Sequence, residues 1–424
     1  MSRLRQALGR IAGAAGGRVD RLKYRLDRRS GDERIQIAAY RGYGTAEQLY
    51  LKGRVLEDKG IRTASDDDSI WDNLANMYRR FESDEIPGAR VLARLGDVEQ
   101  EVVANKEGFF EVRIAPAHPL PADPIWHEVD LELLSPRRAG RDAPRTVGQV
   151  LLPPPGARFG VISDLDDTVI QTDVTRVIRM VRNTLLGNAR TRHPFPGVAA
   201  LYRALHSSAG APANPLFYVS SSPWNLYDML DDFFRLRSIP EGPIFLRDWG
   251  LSSKDRSSSG YKLAVIRQIL DRFPALPFLL LGDSGEHDPE IYREIVRLYP
   301  GRILAIYIRN VKRRDERIAA VQALAEEVAA AGSALVLADD TLVAARHAAE
   351  HGWIDRADLD AVAAAVAAEQ TPAAQAEPPT EVIAGPQAVA QGAVAETLAA
   401  GAGAGEPLPN VIVEGDDSAR ENAQ

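Results

Sequence analysis

The sequence predicts an α/β protein in which a doubly wound parallel-sheet domain follows a small all-β sandwich domain. Three observations predict it. Between residues 34 and 152, short β-rich runs recur at close spacing with turn residues between them, as in antiparallel sandwiches. From residue 159 onward, apolar runs alternate with helical stretches, the pattern of a parallel sheet covered on both faces. Between the two regions stands Pro153-Pro154-Pro155-Gly156, which reads as a linker.

The chain begins with a basic arm, residues 1–30, in which only Asp20 and Asp27 oppose a series of arginines and Lys23. Two readings are open: a solvated, partly helical tail, or an arm drawn to anionic lipid. The apolar stretch 7–17 is interrupted by Arg10 and is rich in glycine, so it does not read as a secretion signal. No run reaches the roughly 20 apolar residues that span a bilayer. The expected location is therefore the cytoplasm, with peripheral contact at the inner surface of an anionic membrane as the route to lipid. The chain of 424 residues contains no cysteine, which excludes disulfides, thiolate metal sites and a cysteine nucleophile.

In the first domain, residues 31–152, strands are expected at 34–40, 48–56, 89–95, 99–104, 109–114, 126–134 and 147–152, with turns at Pro87-Gly88, Lys106-Glu107-Gly108 and 119–124. The aromatic-basic stretch 71–81 reads as a helix or loop over a sheet edge. Residues 86–114, with "PGARV" and "EGFFEVRI", resemble transthyretin-like or carboxypeptidase-regulatory sandwich modules. In the second domain, residues 153–366, strands are expected at 159–162, 216–219, 244–246, 278–281 and 303–308, and helices at 198–205, 224–236, 262–273, 290–299 and 315–330. One further unit follows, a strand at 335–337 and a helix at 341–351. Residues 367–424 are rich in Ala, Glu, Pro and Gly without aromatics, and read as a disordered tail.

The chemistry is concentrated at the ends of the expected strands. An apolar strand runs into "SDLDDT", so that Asp164 and Asp166, two positions apart on an extended chain, point the same way about 6–7 Å apart. Ligands of open α/β sheets bind at the carboxyl ends of such strands. Two carboxylates this close favour a bound cation, and their hard oxygens suit Mg²⁺. Further along, Ser220 and Ser221 end the second strand, Lys262 opens a helix, and "GDSGEHDPE" places Asp283, Glu286 and Asp288 at another strand end.

Asp164, Asp166 and Thr168 resemble the Asp-x-Asp-x-Thr motif of the haloacid-dehalogenase-like (HAD-like) phosphatases. The resemblance implies that Asp164 is the nucleophile and forms an aspartyl-phosphate, and that Asp166 is the general acid and base. It further implies that Thr168 and Ser220, with Ser221 as second choice, bind the substrate phosphate. Lys262 would neutralise the transferring charge. Asp164, Asp166 (through its backbone carbonyl) and Asp283 would hold Mg²⁺, with Asp288 in support. More narrowly, "SDLDDTVIQTDV", "FYVSSSPWNLYDML", "FLRDWG" and "GDSGEHDPEIYREIVRLYPGRILAIYIRN" look like the catalytic domain of the actin-patch-associated phosphatidate phosphatase family. "WDNLANMYRRFESDEIPGARV" looks like the leading domain of its bacterial members. This resemblance, over residues 34–355, implies Mg²⁺-dependent conversion of phosphatidate to diacylglycerol. A phospholipid or phosphomonoester is the expected partner, and nucleic acid is not.

Two features bear on the substrate. The gaps from Asp164 to Ser220 and from Ser220 to Lys262 are too short for a large lid domain, which leaves room for a bulky substrate. Val174, Val177, Ile178, Val181 and Leu185 fall on one helical face beside Arg176, Arg179 and Arg182. That stripe either packs into its own domain or lies on a membrane. Arg247 and Asp248 either pair with each other or leave Arg247 to the substrate phosphate, and Arg309 is equally open. Asp339-Asp340-Thr341 lacks the Asp-x-Asp spacing and is expected to cap the final helix.

Overall fold

A computed structural model describes residues 34–58, 85–137, 142–165, 196–207, 213–247, 257–311, 314–370 and 411–413. Asp166, Thr168, the basic arm, the 71–81 patch and the amphipathic stretch 174–185 lie outside these residues. The chain divides into two compact units.

The first unit is built from β1 (Arg34–Ala39), β3 (Gln48–Asp58), β4 (Arg90–Leu95), β5 (Val98–Val103), β6 (Phe109–Ile114), β7 (Trp126–Ser135) and most of β8 (Arg145–Leu151). These strands belong to a mixed sheet in which β3 pairs antiparallel with β1 and β6, and β4 pairs antiparallel with β5 and β7. Residues two apart on a strand share a face, and β4 and β6 bury alternate residues accordingly. Leu49, Leu51, Val55, Val91, Val112 and Leu133 are among those turned into the core.

The second unit contains Arg41–Gln48, His118–His127 and everything from Val150 onward. Its short strand β2 (Gly42–Thr45), absent from the sequence expectation, runs parallel to the end of β8. Tyr43 is 2% exposed and meets the rings of Phe217, Phe245 and Phe273. A four-residue strand with two glycines carries too little periodic signal to be read locally.

The remaining strands form the second sheet: β9 (Gly160–Asp164), β10 (Leu216–Pro223), β11 (Ile244–Arg247), β12 (Phe278–Asp283), β13 (Ile303–Arg309), β14 (Ala334–Ala338) and β15 (Val411–Val413). Its order is β11-β10-β9-β12-β13-β14-β15; β9 to β14 are parallel and β15 is antiparallel to β14. The chain winds outward from β9 to β11, returns beside β9 as β12, and winds outward the other way. Such a reversal opens a crevice at the carboxyl ends of the two central strands, here β9 and β12.

The helices of this unit are α1 (Val198–His206), α2 (Tyr227–Leu236), α3 (Ser258–Arg272), α4 (Asp288–Leu298), α5 (Asp315–Ala330), α6 (Thr341–Glu350) and α7 (Arg356–Gln370). A 3₁₀ turn, Trp224–Leu226, leads into α2, so the helix expected at 224–236 is divided in two. α3 begins four residues before Lys262, capped by Ser257, whose Oγ accepts from Gly260 N at 3.1 Å. Asp340 caps α6 by accepting from Val343 N at 3.0 Å, as its sequence position suggested. α7 buries little beyond Val362 and Val366, and its near-uniform alanine face hid it from a periodicity reading. Among the described residues no helix is long and apolar enough to cross a membrane.

Candidate active site

Asp164 ends β9 and Asp283 ends β12, two adjacent parallel strands in which Ser163 stands beside Leu281. Side-by-side strands are spaced about 4.8 Å apart, so carboxylates on their tips meet. Asp288 joins them from the first turn of α4, a position that favours an acidic side chain near the exposed N–H groups of the helix start. One carboxylate oxygen each from Asp164, Asp283 and Asp288 lie within 4.8 Å of one another. The sequence reading gave Asp288 only a supporting place.

Gly282 makes this closeness possible. A Cβ there would stand 2.5 Å from Asp288 Oδ2 and 2.8 Å from the Tyr292 ring, both too close for any side chain. Without one, Asp288 Oδ2 accepts the Asp283 N–H at 3.1 Å, and Tyr292 donates its hydroxyl to the Leu281 carbonyl at 2.8 Å. These bonds dock the start of α4 onto the tip of β12.

Lys262 supplies the opposing charge. It lies on the same face of α3 as Val265, Ile266 and Ile269, the spacing of an inward-facing stripe, so the fold buries its stem with the apolar residues. Its side chain is 2% exposed, and Nζ lies 2.6 Å from Asp164 Oδ1, 2.9 Å from Glu286 Oε2 and 3.2 Å from Asp288 Oδ1. One ammonium thus faces three carboxylates, with Asp283 as a fourth acid beside them. Burial pushes the Asp288 carboxyl up to about 6, against the pull of Lys262 and the Asp283 N–H. A cluster with this surplus of negative charge and only oxygen donors could hold a small divalent cation.

The loop after β12 orients Asp283. Its Oδ1 accepts from the amides of Gly285 at 2.6 Å and Glu286 at 3.1 Å. On the other side of Asp164, Val219 of β10 stands beside it in register, and Ser220 follows. Ser220 is 1% exposed and its Oγ accepts from Ser222 N at 3.0 Å, whereas Ser221 Oγ is bonded to Ser258 Oγ at the start of α3. Ser220 and Ser221 therefore both sit at the strand end, in different surroundings.

One contact had no signal in the sequence. The Ser163 hydroxyl donates to the Asp164 carbonyl at 3.0 Å and is itself 2.7 Å from Tyr202 Oη, so Tyr202 on α1 is the donor to Ser163. Tyr202 is buried and its phenol is raised above its ordinary value, chiefly by burial, so it remains a donor. The pair fixes the peptide that follows Asp164. A tyrosine on an amphipathic helix reads as core, and only the packing of α1 reveals the bond.

This geometry falls within a segment shared with known proteins. Residues 159–310 match the family model described as phosphatidate phosphatase APP1, catalytic domain. The chain is 40% identical over 155 residues to phosphatidate phosphatase APP1 of Saccharomyces cerevisiae, a match covering 36% of this chain and 26% of that protein. It is 33% identical over 163 residues to an uncharacterised protein of Schizosaccharomyces pombe, covering 36% of this chain and 25% of that protein. The chain thus spans about a quarter of the length of the curated relatives it matches. Among solved structures, it is similar to a carbohydrate acetylesterase from Xanthomonas citri at 13% identity and a TM-score of 0.22, covering 62% of this chain and 65% of that one, a likeness on which nothing rests. Residues 159–310, which carry Asp164, Lys262, Asp283 and Asp288, are similar to the phosphatidate phosphatase APP1 catalytic domain.

Proposed function

We propose that this chain is a Mg²⁺-dependent phosphatase whose substrate is phosphatidate, acting on a doubly wound HAD-like domain through an aspartyl-phosphate at Asp164. The observation that carries the proposal is the convergence of Asp164, Asp283 and Asp288 within 4.8 Å at the carboxyl ends of neighbouring strands, with Lys262 beside them. The activity for which the Saccharomyces cerevisiae relative is named supports the choice of substrate.

In this reading Asp164, Asp283 and Asp288, with the backbone carbonyl of Asp166, would hold Mg²⁺. When bound, the cation would offset charge on the phosphoryl oxygens. An Asp164 carboxylate oxygen attacks phosphorus and the bond from phosphorus to the glycerol oxygen breaks. The leaving oxygen takes the Asp166 proton, and diacylglycerol departs. Asp166 then removes a proton from water, whose oxygen attacks the aspartyl-phosphate and restores the Asp164 carboxylate with release of phosphate. Lys262 pairs with Asp164 and offsets charge on the transferring group. Thr168 and Ser220, with Ser221 beside it, take the phosphate oxygens. In the same reading the leading strands form a sandwich module, and the basic arm and the 174–185 stripe are the routes to an anionic membrane surface.

The test is phosphate release from phosphatidate vesicles against soluble phosphomonoesters, each with Mg²⁺ and with EDTA. Faster release from vesicles with Mg²⁺ is expected. Turnover of soluble esters alone would overturn the lipid assignment, and equal rates in EDTA would overturn the metal. Asp166→Asn is expected to abolish turnover, and a wild-type rate in that variant would remove its acid–base role.

A further inference from the structure

The family match ends at residue 310, yet the loop that orients Asp283 is tied to a residue beyond it. Arg317 lies in the first turn of α5 and turns its guanidinium onto the 284–286 loop. Its Nε donates to the Ser284 carbonyl at 3.0 Å and its Nη2 to the Glu286 carbonyl at 2.7 Å. Glu290 on α4 fixes the guanidinium from the other side, accepting from Nη2 at 3.1 Å and also from Nη1.

The loop is thus held from both sides. Its amides at Gly285 and Glu286 turn inward to Asp283 Oδ1, and its carbonyls at Ser284 and Glu286 turn outward to Arg317. Glu286 takes part in both sets, donating its N–H to Asp283 and accepting from Arg317 at its C=O, and its side chain reaches Lys262. Beside this clamp lies a cavity of about 410 Å³ lined by Glu286, His287, Arg314 and Arg317. On that side the loop has open space, and packing alone does not hold it in place. A planar guanidinium with several fixed donors suits such a clamp, and a lysine cannot reproduce it.

We infer that Arg317 is a positioning residue for the active site, holding the 284–286 loop in the shape that aims Asp283 and Glu286. The inference rests on reading the Asp164–Asp283–Asp288 cluster as the reacting centre. Partners one step removed from a metal's ligands change metal affinity or activity about 10–100-fold when removed.

The test compares wild type, Arg317→Gln, Arg317→Lys and the control Arg297→Gln, which loses only an exposed ion pair with Glu294. Amide hydrogen exchange is read across residues 283–288, and half-saturating Mg²⁺ is read in vesicle turnover. In Arg317→Gln the loop amides are expected to exchange at least about tenfold faster, and the Mg²⁺ requirement to rise about 10–100-fold with KM for phosphatidate little changed. Arg317→Lys should recover only part of this, and the control should match wild type. Unchanged exchange at 283–288, or acceleration spread evenly over the second unit, would overturn the assignment. Should Arg317→Gln fail to fold, Glu290→Gln removes the anchor instead. It is expected to loosen the same amides, and if it leaves them unchanged the clamp is refuted. If wild type releases no phosphate, the phosphatase reading falls, and loop exchange alone decides the role of Arg317.

Discussion

The Lys262 ammonium lies 2.6 Å from Asp164 Oδ1, with both side chains almost wholly buried. This pair joins two parts of the chain nearly a hundred residues apart and sets the electrostatics of the centre. Low dielectric strengthens the attraction, and it equally raises the cost of leaving either partner alone.

Lys262→Met should therefore harm both stability and chemistry. Removing one partner of a buried pair costs about 3–5 kcal/mol, and loss of a preorganised charge lowers kcat by about 100-fold or more. Denaturant unfolding and vesicle turnover measure the two effects. Added Mg²⁺ should restore part of the stability, since a cation can take over some of the lost charge.

Gly282→Ala tests the close approach of α4 to β12. The new methyl would meet Asp288 Oδ2 at 2.5 Å, with Asp288 Cβ and the Tyr292 ring each at 2.8 Å. Overpacking of this kind costs about 1–3 kcal/mol, and Asp288 must move away from Asp283. A drop in melting temperature together with a raised Mg²⁺ requirement is expected, and a neutral result would show that α4 shifts freely.

If the three carboxylates hold Mg²⁺, as proposed, the ion should raise thermal stability. At a free concentration 100 times Kd, a ligand specific to the native state adds about 2.7 kcal/mol. Scanning calorimetry with Mg²⁺ and with EDTA should show this in wild type and lose most of it in Asp283→Asn.

In the metal-free protein Asp288 predicts a pH effect of definite sign. Its carboxyl is raised from 3.8 to about 6 in the native state, chiefly by burial. The native state then holds the proton more tightly than the unfolded chain. The stability this contributes is present in full below pH 3.8 and is lost as pH rises through about 6. Melting temperatures of wild type and Asp288→Asn in EDTA should diverge across that window, with wild type losing ground as pH rises.

Tyr202→Phe removes the hydroxyl that holds Ser163, and with it the peptide after Asp164. The Ser163 hydroxyl keeps its bond to the Asp164 carbonyl, so the loss is expected near 1 kcal/mol in stability. A fall in kcat with unchanged KM would mark a fault in aiming Asp164, whereas unchanged kcat would leave Tyr202 as a packing residue.

The sequence by itself determined most of the strand and helix series of the second unit, apart from β2, α7 and β15, and the acids at the strand ends. Apolar runs such as 278–281 and 303–308 are unambiguous because a strand buried on both faces has nowhere to put a polar side chain. The acids of "SDLDDT" and "GDSGEHDPE" stand out because they break those runs abruptly. Tertiary structure alone decided which acids meet. Strand order placed β9 beside β12, and the missing side chain at Gly282 let Asp288 join Asp164 and Asp283. Packing of α1 and α5 likewise brought Tyr202 and Arg317 to the site, and β2 into the second unit's core. These last relations were invisible because each rests on contacts across long chain separations, which leave no local pattern in composition or period.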